Sequence, residues 1–270
     1  MSKVKKERLD VLLVEKGLVP SRERAKSSIM AGLVFVDGQR VDKAGTMVSL
    51  EGNIVVTGDS IGYVSRGGLK LAKALEYFTI DLTGKVMADI GASTGGFTDC
   101  ALQNGAICVY AIDVGYGQLA WSLRTDSRVI NMERTNIRHV TTADLCQPVD
   151  FASIDVAFIS LTKVLPVVKT LLAETGTVVA LIKPQFEAGR AKVGKKGVVK
   201  DPLVHSEVIT NIVNASCELG FVPIGLTFSP VKGPEGNIEY LIYLANYNVE
   251  KVVHAETIEA TVREAHTSAV

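Results

Sequence analysis

The sequence predicts an α/β protein: a mostly parallel sheet carrying the chemistry, preceded by a small α+β unit. Three observations carry this. From about residue 84 onward, four apolar runs (86–90, 108–112, 154–158 and 177–182) alternate with helical segments. Strands that are apolar on both faces belong in a parallel sheet covered on both sides. Residues 1–70 hold 12 Lys and Arg against 8 Asp and Glu, whereas the whole chain balances 29 against 29. A basic head therefore precedes a mildly acidic body. Finally, 270 residues with 47% hydrophobic content suffice for two unequal domains. The expected boundaries are a basic unit over 1–60, a connection over 61–66, a larger unit over 67–247 and a helix or tail over 248–270.

In the basic unit, Leu9, Leu12, Leu13 and Val14 lie on one helical face and Gly17 stops the helix. Ser21 is the expected N-cap of a second helix running to Met30 and ending near Gly32. That helix sets Arg22, Arg24 and Lys26 within two turns, where cations suit phosphates. Short strands follow at 33–36, 39–41 and 53–56, the first two joined by the turn Asp37-Gly38. Ser60–Ser65 is a short connection expected to bend on binding RNA.

Cys100, Cys108, Cys146 and Cys217 form no CxxC pair, which argues against zinc and disulfides and predicts four buried thiols and no metal. The basic start MSKVKKERLD is not followed by a signal-peptide apolar region, and no run approaches the ~18–20 apolar residues of a membrane span. A soluble, cytoplasmic protein with no membrane partner is expected.

The run Asp89-Ile90-Gly91-Ala92-Ser93-Thr94-Gly95-Gly96-Phe97 follows a strand and opens a helix, so glycines let backbone approach a ligand. Asp113 ends the next strand about 20 residues on, placed to accept hydrogen bonds from ribose hydroxyls. The turn reads GASTGG rather than GxGxxG, and Asp89 beside it would repel a pyrophosphate while tolerating a sulfonium. S-adenosylmethionine is therefore expected rather than a dinucleotide, with Phe97 and Asn136 also lining the site.

Four charged residues stand in unusual settings: Lys70 in SRGGLKL, Asp155 in SIDVAFISL, Lys183 in LIKPQFE and Glu239 in GPEGNIEYLIYL. Three adjoin apolar strands, whose ends converge on a crevice, so Asp155 and Lys183 are expected to pair, with Lys70 as a second cation. The glycine- and lysine-rich loop 189–201, with Arg190, Lys192, Lys195, Lys196 and Lys200, either closes over an RNA backbone or is simply solvated. The final segment from Val249 reads as a polar helix or tail.

The stretch RLDVLLVEKGLVPSRERAKSSIMAGLVFVDGQRV resembles the S4-type RNA-binding module of a small-subunit ribosomal protein, some pseudouridine synthases and tyrosyl-tRNA synthetases. The ordered set Lys70, Asp155, Lys183, Glu239 resembles the Lys-Asp-Lys-Glu tetrad of FtsJ-like ribose 2′-O-methyltransferases. Over roughly residues 7–245 the whole arrangement is similar to the TlyA family, whose members are also labelled hemolysins.

That resemblance implies a Rossmann-like class I S-adenosylmethionine-dependent methyltransferase domain with a seven-stranded, mostly parallel sheet, acting on the cytidine ribose 2′-hydroxyl of ribosomal RNA. It implies Lys183 as general base or orienting group, Asp155 as its positioner, and Lys70 and Glu239 completing the network. Arg8, Arg22, Arg24, Lys26, Arg66, Arg190, Lys195 and Lys196 are the expected RNA contacts, with ribosomal RNA or subunits as partners. Monomer and dimer stay equally open.

The competing functions are a non-catalytic RNA-binding or ribosome-assembly protein, which the intact quartet opposes, and a membrane-damaging hemolysin. The second lacks an amphipathic basic helix to support it. Base methylation would call for an Asn-Pro-Pro-Tyr-like motif or a cysteine nucleophile where Asp155-Val156-Ala157-Phe158 stands.

Overall fold

The computed structural model describes residues 6–19, 22–30, 32–56 and 62–268. The chain divides into two compact units, Met1–Ser65 and Arg66–Val270. Ser21, expected as a helix cap, and Ser60 and Ile61 of the connection expected to bend lie outside the described residues.

The first unit contains β1 (Lys6–Arg8), α1 (Leu9–Glu15), α2 (Arg22–Met30), β2 (Val34–Val36), β3 (Gln39–Arg40), β4 (Met47–Ser49) and β5 (Ile54–Val56). β3, β2 and β5 form an antiparallel sheet, and β1 pairs with β4. Leu9, Leu13, Ala25, Ile29 and Val34 are wholly buried at its centre. At the hairpin between β2 and β3, Asp37 (φ +49°) and Gly38 (φ +79°) are both left-handed, the backbone that an Asp-Gly turn favours. β1 escapes sequence reading because Lys6-Glu7-Arg8 has no apolar alternation; its pairing with Met47–Ser49 makes it a strand.

The second unit contains α3 (Gly67–Tyr77), β6 (Val86–Ile90), α4 (Gly96–Gln103), β7 (Cys108–Ile112), α5 (Trp121–Arg124), β8 (Val129–Met132), β9 (Val149–Ile154), α6 (Leu165–Leu171), β10 (Leu172–Ile182), α7 (Pro184–Glu187), α8 (Pro202–Glu218), β11 (Val222–Phe228), β12 (Tyr240–Ala245) and α9 (Ala255–Ser268). Its seven-stranded sheet runs β11-β12-β10-β9-β6-β7-β8. β8, β7, β6, β9 and β10 are parallel, and β12 runs against both β10 and β11. Chain order reverses between β6 and β9, which opens a ligand crevice at their carboxyl ends.

Two expectations need correction, and a third resolves between its alternatives. The apolar run at 154–158 is not a strand: β9 ends at Ile154, and beyond Asp155 the chain leaves the sheet, with Phe158 90% exposed at φ +63°. Of the two readings of the last segment, helix or tail, it is the helix that forms: α9 buries Ile258, Val262 and Ala265 against α8 and β11. Each buried aliphatic side chain of this kind contributes roughly 1.5–3 kcal/mol, enough to anchor the helix. Of the four free thiols only Cys100 is buried, while Cys146 and Cys217 are exposed.

Candidate active site

Strand register brings the charged quartet together. Ile154 of β9 is level with Ala180 of β10 and with Ile90 of β6, so Asp155 emerges beside the glycine-rich turn and near Lys183. β12 is antiparallel to β10 and Tyr240 is level with Ile182, so Glu239 enters the sheet at the edge where Lys183 leaves it. α3 packs against α4 and supplies Lys70 from the side.

The resulting contacts form a chain of alternating charge. Glu239 Oε2 accepts from Lys70 Nζ at 2.7 Å, Asp155 Oδ2 accepts from the same ammonium at 3.3 Å, and Asp155 Oδ1 lies 2.5 Å from Lys183 Nζ. Lys70, Lys183 and Glu239 are buried. Burial raises the affinity of Asp155 for a proton, but Lys183 first and Lys70 second outweigh it and hold this carboxyl below its ordinary range. Two carboxyl side chains and two lysine side chains thus alternate inside the protein.

Gly91 (φ +86°) is required by close approach: a Cβ there would lie 2.4 Å from the Asp155 carbonyl oxygen. Gly95 (φ +94°) likewise faces Leu119 and Leu123, whose side chains a Cβ would strike. These two glycines therefore shape the turn against the protein's own atoms. Gly96 opens α4, and Phe97 is buried in its first turn rather than lining a surface.

Asp89 corrects another expectation. It is 1% exposed, and its carboxylate accepts from Thr98 N (2.9 Å), Thr98 Oγ1 (2.7 Å) and Ser153 Oγ (3.1 Å). The carboxylate is turned into the protein, away from solvent. Burial pushes its carboxyl up to about 6, against the pull of those hydrogen bonds. Because Thr98 N belongs to the first turn of α4, Asp89 occupies the anion position of that helix start from within. A pyrophosphate loses that position, so the preference against a dinucleotide stands for a different reason from the one read in the sequence.

Asp113 is half-buried directly after β7; its Oδ2 accepts from Ser93 N at 2.8 Å and its Oδ1 from Gly115 N at 2.6 Å. Each oxygen keeps a lone pair for a diol, the donor-accepting chemistry a ribose needs. Ser93, left-handed at φ +49°, also donates from Oγ to Gln118 Oε1 at 3.1 Å, bridging the glycine turn to the following loop. Asn136 caps a short turn, its Oδ1 accepting from Arg138 N at 3.1 Å. With Ser93 and Thr94 exposed at the tip of the turn, the diol acceptor beside it fits an adenosine-type cofactor.

Sequence reading missed two groups beside the quartet, an aromatic pair and an amide. Phe158 and Phe186 bring their rings to 4.9 Å between centroids, and the Phe186 ring lies 6.0 Å from Lys183 Nζ. Gln185, two residues past Lys183, donates from Nε2 to Glu239 Oε1 at 3.4 Å. Neither carries a charge, and Phe158 reads in sequence as the end of an apolar strand.

Of the expected RNA contacts, Arg8 and Arg22 share the wholly buried Asp10, at 2.9 Å each. Their hydrogen bonds, the one from Arg8 foremost, hold the Asp10 carboxyl well below its ordinary range. Lys26, Arg66, Arg190, Lys195 and Lys196 are exposed, and Arg24 is half-buried. The basic loop 189–201 is anchored: Val199 is buried with its carbonyl 2.9 Å from His205 Nε2, and Lys192 pairs with Glu207 at 2.5 Å.

A parallel sheet with an antiparallel strand near one edge, a glycine turn after β6 and a charged quartet at the carboxyl edge define an S-adenosylmethionine-dependent methyltransferase fold. Residues 63–246 match the FtsJ-like methyltransferase family and residues 7–55 match the S4 domain. The chain belongs to the FtsJ-like methyltransferase family, in the branch that carries an S4 domain.

Among its relatives, the 16S/23S rRNA (cytidine-2′-O)-methyltransferase TlyA of Mycobacterium tuberculosis (strain ATCC 25618 / H37Rv) is 43% identical, over 96% of each chain. YqxC of Bacillus subtilis (strain 168), provisionally named an rRNA methyltransferase, is 56% identical over 89% of this chain and 86% of its own. A solved structure from Streptococcus thermophilus, carrying a provisional hemolysin name, is 45% identical with a TM-score of 0.78, covering 98% of this chain and 97% of that one. Among the described residues, no helix is long and apolar enough to cross a membrane.

Proposed function

We propose that this enzyme methylates the ribose 2′-hydroxyl of cytidine in ribosomal RNA, with S-adenosylmethionine as donor, in the cytoplasm. The observation that carries the reading is the continuous contact chain Glu239–Lys70–Asp155–Lys183 at the carboxyl edge of the sheet. The relatives named for cytidine-2′-O-methylation support the choice of nucleotide.

S-adenosylmethionine, when bound, supplies an electrophilic methyl group on a sulfonium. Asp113 would hold its ribose, and the turn over Gly91, Ser93, Gly95 and Gly96 would give it room. Lys183 orients the 2′-hydroxyl and, as the amine, takes its proton at Nζ while the oxygen becomes nucleophilic. Asp155 holds that amine in place. Lys70 and Glu239 keep Asp155 fixed and balance its charge. Attack along the line of the leaving group then requires mainly alignment.

Phe158, exposed and held in a left-handed backbone, presents a ring next to that of Phe186, which in turn lies 6.0 Å from Lys183 Nζ, and an unstacked base can rest on it. Strain of this kind at a bulky residue concentrates at functional sites. Arg8, Arg22, Arg24, Lys26, Arg66, Arg190, Lys195 and Lys196 would contact phosphates, giving the sequence-independent part of affinity. The test is transfer of radiolabelled methyl to ribosomal subunits from a strain lacking the enzyme, with and without raised salt. Label that resists base removal and maps to a cytidine ribose is expected; label on a base, or none, contradicts the reading.

A further inference from the structure

Gln185 holds a position that the quartet does not explain. Its Oε1 is buried and has no hydrogen-bond partner among the described residues, while its Nε2 points to Glu239 Oε1 at 3.4 Å. Rotating the amide by half a turn would set oxygen against oxygen, so Glu239 dictates the orientation and the unsatisfied acceptor is its consequence. A buried acceptor without a partner destabilises a fold, and such groups are rare enough to call for a reason.

The surroundings of Glu239 supply one. Its Oε2 is engaged by Lys70 at 2.7 Å. On the Oε1 side, Gly233 comes so close that an added Cβ would lie 2.3 Å from that oxygen. Gly233 gives Oε1 room; Gln185 gives it a donor. Gln185 sits in α7, which begins immediately after Lys183, so one short segment both presents the lysine to Asp155 and fixes the carboxylate at the other end of the contact chain.

We infer that Gln185 is a positioning residue: it locks Glu239, and through Lys70 and Asp155 it aims Lys183 at the substrate hydroxyl. The inference rests on the quartet reading proposed above. The unsatisfied oxygen is stability given up for that alignment.

The test uses the full chain and undermethylated ribosomal subunits, comparing wild type, Gln185→Met, Gln185→Glu and Lys183→Ala by kcat, KM, pH profile and melting temperature. Gln185→Met is expected to lose about tenfold to a hundredfold in kcat, the scale of a small misplacement, with KM for both substrates unchanged. Its melting temperature is expected to hold or rise, because the unsatisfied oxygen is gone. Gln185→Glu sets a second carboxylate against Glu239, so its kcat is expected to fall as well and its pH profile to depart from that of wild type.

A kcat that falls only in step with melting temperature makes Gln185 a packing residue and overturns the inference. So do wild-type kcat and pH profile in both Gln185 variants when Lys183→Ala is inactive. A fully active Lys183→Ala removes the quartet reading itself, and the inference with it.

Discussion

Lys183 and Asp155 end two adjacent parallel strands and meet at 2.5 Å, although 28 positions separate them in the chain. Their meeting depends on register: a one-residue slip of β10 against β9 would turn Lys183 to the opposite face of the sheet. The contact is protected from such slips because both strands are buried at their ends, with Ile154, Leu181 and Ile182 in the core.

Gly91→Ala tests how the turn and the quartet are coupled. The new Cβ would meet the Asp155 carbonyl oxygen at 2.4 Å, and the left-handed backbone adds strain. Activity is expected to fall by on the order of a hundredfold through displacement of Asp155. Steady-state kinetics alongside thermal melting checks this; unchanged kcat would mean that Asp155 tolerates the shift.

Asp113→Ala removes the acceptor that ties Ser93 and Gly115 together. Calorimetry is expected to show S-adenosylmethionine binding weakened at least about tenfold, the loss of one or two good hydrogen bonds to a charged group. RNA affinity measured by filter binding should not change.

Phe158→Ala is expected to weaken productive RNA engagement by about 1–3 kcal/mol if the ring supports a base. Because Phe158 is 90% exposed and left-handed, its removal should leave the melting temperature unaltered. Phe158→Tyr should retain activity, and equal activity in the alanine variant would dismiss the stacking role.

Asp10 makes the first unit sensitive to acid. Arg8 and Arg22 lower its carboxyl in the folded state, so the stability it contributes is present above the unfolded carboxylate value of about 4 and is lost as pH falls further. Because both arginines are about half exposed, the effect is modest. Hydrogen exchange of α1 and α2 amides should accelerate below that pH in wild type, and be faster already at pH 7 in Asp10→Asn. Identical exchange in the two proteins would remove Asp10 as the source.

Much of this was legible from the residues. Alternation of apolar runs with helices located β6, β7 and the core of β10, and the Asp-Gly turn located the hairpin. The quartet was readable as charges beside apolar strands. What escaped depended on pairing or on surroundings. β1 is a strand only through β4. Asp89 reads as a ligand contact until Thr98 and Ser153 are seen to close over it. Val156-Ala157-Phe158 continues the apolar pattern of β9 although the chain has already left the sheet, so hydrophobicity alone placed the strand end too late. Gln185 has no sequence signal, being an uncharged amide whose role depends on what its two ends meet.

The most direct test of the central claim compares methyl transfer by wild type and Lys183→Ala on subunits from a strain lacking the enzyme, followed by mapping of the label. Wild type is expected to label a cytidine ribose, and the variant to do so at a rate reduced by about a hundredfold to ten-thousandfold, with S-adenosylmethionine binding intact. Ribose labelling at the wild-type rate by Lys183→Ala would contradict it.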